Sequence, residues 1–77
     1  MTLEKALDVI SKLNFDGSKG LEQFAPTELE ACDQVSQAIV DFNFHGAPEP
    51  EIPEPLLIKF HQVQDLKLAA EADQATF

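Results

Sequence analysis

The sequence predicts an all-α fold, a small three-helix bundle with a Pro/Glu-rich extended linker between its second and third helices. Three observations carry that expectation. Apolar residues recur at spacings of three and four in three separate stretches, each of which writes one buried helix face. Four prolines fall between Pro48 and Pro55, which forbids helix there and separates the second stretch from the third. Only one short run, Val40-Asp41-Phe42-Asn43-Phe44, alternates as a strand does, and nothing else in the chain offers it a second strand.

The first helix is expected over 2–13. Leu3, Ala6, Leu7, Ile10 and Leu13 share one face. Thr2 is placed to cap it, and Glu4 sits in the first turn, where the helix dipole favours negative charge. Asp8 and Lys12 form an i,i+4 ion pair in the favourable order. Asn14 and the Asp16-Gly17 turn stop the helix. A connector follows to Pro26, with Phe15, Leu21 and Phe24 as anchors onto the core and room for a short helical turn at Leu21 to Phe24.

The second helix is expected over 27–44. Thr27-Glu28-Leu29-Glu30 reads as a capping box, in which the Thr27 hydroxyl and the Glu30 carboxylate exchange bonds with each other's backbone N–H. Leu29, Cys32, Val35, Ile39 and Phe42 form its apolar stripe, and Gly46 suits the left-handed residue that ends a helix. The strand-like alternation leaves residues 40–46 open between helix and extended chain. Pro48 to Pro55 then favours polyproline II, and its three glutamates stretch it further, to a reach of about 25 Å. Ile52 is expected to pin its middle. The third helix, over 55–72, starts near Pro55. Leu56, Phe60, Val63, Leu66 and Ala70 make its stripe, while Leu57, Ile58 and Leu68 widen the apolar surface beyond one face. The expected core is Leu3, Leu7, Ile10, Leu29, Cys32, Val35, Ile39, Phe60, Val63 and Leu66, in a single domain over 1–77.

Size and charge limit what such a domain does. A chain of 77 residues buries a modest core, and with one cysteine it cannot be stapled by an internal disulfide. Fourteen acids face five lysines and no arginine, a net charge of -9. Binding to nucleic acid requires basic groups to displace phosphate counterions, so direct DNA or RNA binding is not expected. Anionic membrane is disfavoured on the same ground. No positive n-region with an apolar core opens the chain and no stretch approaches a membrane span, so no signal peptide is expected. The lone thiol points to the reducing cytoplasm.

The strongest non-random feature is charge segregation. Between Lys19 and Lys59 lie 39 residues without lysine or arginine and with eight acids. The expected partner-binding residues are Glu28, Asp33, Asp41, Glu49, Glu51 and Glu54, with Leu57 and Ile58 as apolar neighbours. Their charge calls for a protein partner with a basic surface. Two of the eight acids, Glu28 and Glu30, are also accounted for by capping and the helix dipole.

No catalytic, cofactor or metal site is expected. Asp41 and His45, and His61 and Asp65, are spaced so that each pair shares a helix face, but nothing in the sequence joins the pairs into a zinc site. Cys32 falls on the apolar stripe among acids, where a reactive thiolate would need a basic neighbour. Asn14 to Gly20 resembles a calcium loop only superficially: Lys19 stands where the loop needs glycine, and Ala25 where it needs glutamate. Pro50-Glu51-Ile52-Pro53 meets the loose Pro-x-x-Pro pattern, yet lacks flanking basic residues. These readings predict a small inhibitor or adaptor of a larger protein. By analogy of size and charge, a phage or mobile-element inhibitor, such as an anti-CRISPR or a mimic of DNA phosphate, is its sharpest form. The alternative is a self-associating structural bundle, a homodimer through the third helix.

Overall fold

The computed structural model describes residues 1–75, with side chains through Ala72. It contains α1 (Leu3–Ser11), a single 3₁₀ turn (Leu21–Gln23), α2 (Pro26–His45) and α3 (Glu54–Ala75), and among the described residues there is no strand. The all-α three-helix expectation therefore holds. The last two residues of the expected domain lie outside the described residues.

Helix α1 is shorter than expected at its end. The Thr2 hydroxyl accepts from the Lys5 amide at 3.1 Å, as an N-cap does. Lys12 is the C-cap, and Leu13 continues only as a tight turn, its amide donating to the Ile10 carbonyl. The Asp8–Lys12 pair forms at 3.4 Å. The last helical turn of α1 has no basic residue, and the Lys12 ammonium at the C-cap is paired with Asp8. Lys59 of α3 supplies one, its ammonium donating to the Ser11 carbonyl at 3.0 Å.

The start of α2 corrects the sequence reading. The N-cap is Ala25, not Thr27, and Pro26 occupies the first helical position, where its missing N–H is not needed. Moving the cap two residues upstream makes Glu28 the third helical residue. Its carboxylate accepts from the Ala25 amide at 2.7 Å, while Ala25, lacking a side-chain acceptor, makes no reciprocal bond. Glu30 is left to face the Met1 ammonium at 4.0 Å. At the other end α2 runs unbroken through 40–45, so the alternation of Val40, Phe42 and Phe44 is helical. Gly46 closes it with φ 74°. Helix α3 starts at Glu54 rather than Pro55, the Pro53 carbonyl accepting from both Leu56 and Leu57 at 3.0 Å, and it continues to Ala75.

The core is drawn from all three helices and the connector. Ala6, Ile10, Leu13, Phe24, Ala31, Cys32, Val35, Phe60 and Val63 are buried. Leu3, Leu7, Leu29, Ile39 and Leu66, expected in the core, are half-buried and pack against it. Helix α1 packs most extensively on α2, and each contributes a fully buried alanine, Ala6 and Ala31. Side chains this small permit close helix packing, and Ile10 of α1 and Val35 of α2 are buried as completely. The connector is folded in by Phe24 and Phe15, whose rings stack at 6.4 Å.

Candidate interaction surface

The connector that resembles a calcium loop is tied by side-chain bonds of its own. The Asp16 carboxylate accepts from both the amide (2.9 Å) and the hydroxyl (2.6 Å) of Ser18. The Gln23 amide group accepts from the Asp16 N–H and donates to the carbonyls of Asp16, Lys19 and Gly20. The Ser18 hydroxyl above all, and then its amide, hold the Asp16 carboxyl below its ordinary range. Bonds from the backbone amides of Glu22 itself and of Gly20 do the same for Glu22. Gln23 as the organiser of this turn escapes sequence reading, because its partners are backbone carbonyls that carry no residue code.

The buried thiol of Cys32 has its pKa raised, chiefly by desolvation. Burial makes it a core side chain and a poor nucleophile. Among the described residues no three or more His, Cys, Asp or Glu side chains are grouped to hold a metal. The helix-spaced pairs do not close either: Asp41 takes its hydrogen bond from Gln37 at 2.9 Å, and His61 lies against the Phe60 ring at 5.5 Å.

Among the described residues, two surface depressions stand out. One, of about 290 Å³, lies between α2 and α3 at Asp33, Gln64, Lys67, Leu68 and Glu71. Its charge is already partly matched, since the Lys67 ammonium pairs with Asp33. The other, of about 260 Å³, opens where α2, the linker and α3 converge. Ile39, Phe42 and Asn43 supply one wall from α2, while Glu49, Pro50 and Ile52 of the linker and Leu57 of α3 supply the rest. The wall forms because Ile39, Phe42 and Asn43 fall on one side of α2 at spacings of three and four. Ile52, pinned against the core as expected, draws the extended linker alongside them.

The expected partner-binding residues divide among these places. Glu49 and Leu57 meet in the second groove, and Leu57 also packs on the core. Glu51 and Glu54 are exposed along the linker and at the start of α3, and Asp41 is half-buried beside Phe42. Glu28 and Asp33 belong to the first half of α2, the one occupied as a cap and the other with Lys67. Ile58 is 53 % exposed. Asn43, Pro50 and Ile52 were not among the expected contacts. Their signal is faint in sequence, because a groove between a helix end and a proline linker depends on how the two are folded together.

Comparison of the chain with protein-family models, with curated proteins and with solved structures finds no match in any of the three. Among the described residues no helix is long and apolar enough to cross a membrane.

Proposed function

We propose that this chain is a small acidic protein-binding module, an inhibitor or adaptor that acts on a larger protein presenting a basic surface. One observation carries the reading. The open groove with apolar walls is built from residues 39–57, inside the stretch that has eight acids and neither lysine nor arginine. Apolar area supplies affinity and a single sign of charge supplies steering and partner choice. The reading includes no catalysis and places the protein in the cytoplasm, where a free thiol stays reduced. Its sharpest form is inhibition by occupying a nucleic-acid site, as a phage or mobile-element inhibitor does.

The test is capture of cytoplasmic proteins on the immobilised chain, compared with a variant carrying Asp41→Lys, Glu49→Lys and Glu51→Lys. A partner retained by the wild type, lost with the variant and released by salt supports the reading. A partner set unchanged by the three reversals sinks it. In the nucleic-acid form, duplex DNA competes with the chain for the same partner.

A self-associating bundle is the second reading, favoured by Ile58 and Leu68, which are 53 % and 63 % exposed on α3. Sedimentation equilibrium decides it: a monomer over a wide concentration range removes the homodimer.

A further inference from the structure

The groove lined by Ile39, Phe42, Ile52 and Leu57 is apolar in its walls, and Glu49 stands in its lining. At about 260 Å³ it lies below the roughly 300–1,000 Å³ of small-molecule and cofactor sites, but it suits one bulky side chain. Glu49 is the one ionisable side chain in its lining. Glu51 and Glu54 follow Glu49 along the chain, exposed, whereas Asp41 lies across α2 from Ile39 and Asn43 with its carboxylate on Gln37. The nearest lysine in sequence, Lys59, is committed to the Ser11 carbonyl at the end of α1. His45, the one other titratable group of this stretch, lies in the last turn of α2 and is exposed.

We propose that the groove receives a cationic peptide segment of the partner protein, with one large aliphatic or aromatic side chain seated between α2 and the linker and flanking Lys or Arg residues facing Glu49 and Glu51. The proposal rests on the protein-binding reading above and names the chemistry of the segment it takes. The anchor supplies affinity by desolvation, and the flanking charges supply orientation and rate. Glu49 repels acidic segments, and an uncharged apolar segment brings the anchor without the counter-charge that orients it.

The experiment titrates the full chain with two synthetic peptides, Lys-Lys-Leu-Lys-Lys and the same peptide with serine at the centre, followed by backbone amide NMR shifts. The leucine peptide is expected to bind about tenfold more tightly, from burial of one aliphatic side chain, and to shift Ile39, Asn43, Ile52 and Leu57. Asn43→Trp, at an exposed position on the groove wall, is expected to remove that advantage by filling the space. Glu49→Lys is expected to weaken both peptides and to flatten the salt dependence. Circular dichroism confirms that both variants fold. Equal binding of the two peptides, or shifts confined to Asp33, Gln64 and Lys67, overturns the groove assignment while the acidic-surface reading stands. Failure of both peptides to bind at low salt overturns the two together.

Discussion

Gly46 holds the only positive φ among the described residues, 74°, and a Cβ added there would meet nothing within 4 Å. The cost of replacing it is therefore conformational and free of steric repair. Gly46→Ala is expected to destabilise the fold by about 1–2 kcal/mol, read from the urea midpoint at unchanged slope. Asp16 behaves differently, because its role is electrostatic. Its folded-state pKa lies below the ordinary 3.8, so the stabilisation it gives is complete above that value and is lost as pH falls through the depressed one. Asn at position 16 keeps an acceptor for the Ser18 amide but does not titrate. The stability advantage of wild type over Asp16→Asn is thus expected to shrink below about pH 4, in urea titrations run between pH 2.5 and pH 6. Cys32, with its pKa raised by burial, is expected to react with a disulfide reagent at pH 8 only as fast as the domain opens, and denaturant should release the full rate.

Each helix ends in a way that depends on its neighbours. The first helix lacks a basic last turn, and the third lends it Lys59 across 48 positions of sequence. Lys59→Met keeps the aliphatic stem and removes the ammonium. It is expected to cost about 0.3–1 kcal/mol at low ionic strength, and less as salt is added, measured by thermal unfolding. The second helix is the element that makes the groove. Its cap is Ala25 although Thr27 and Glu30 satisfy a capping box in sequence, because Pro26 satisfies the first helical position. The chain resolves that competition in favour of the proline, whose φ is already helical. The same helix settles the strand-like run at Val40 to Phe44. Without a second strand to bond with, the backbone satisfies itself internally, and Phe44 remains 77 % exposed as a consequence.

At the scale of the whole molecule, 39 × 28 × 21 Å, a few buried side chains bear most of the stability. Ile10 is fully buried where α1 meets the rest of the core. Ile10→Ala is expected to cost about 2–5 kcal/mol, a large share of the few kcal/mol available to so small a domain. Near-complete loss of cooperative unfolding at 37 °C would be the readout. The net charge of -9 opposes compactness throughout.

Helix number, helix type and the excess of acid were legible in the sequence, because periodicity, proline placement and charge are properties of neighbouring residues. Thr2 as a cap, Asp8 with Lys12, Gly46 as a terminator and Ile52 as a pin are all short-range or single-residue signals, and each was read correctly. Tertiary structure decided the remainder of the core: Ala6 and Ala31 are fully buried, as are Ile10, Cys32 and Val35, while Leu3 and Leu7 stay half-buried. It decided the candidate site as well. Glu49 and Leu57 were visible as an acid and a surplus leucine, but Asn43, Pro50 and Ile52 join them only because the linker folds back beside the end of α2. Acidity was thus written in the sequence, and the place where it borders an apolar groove was fixed by packing between elements that local pattern does not encode.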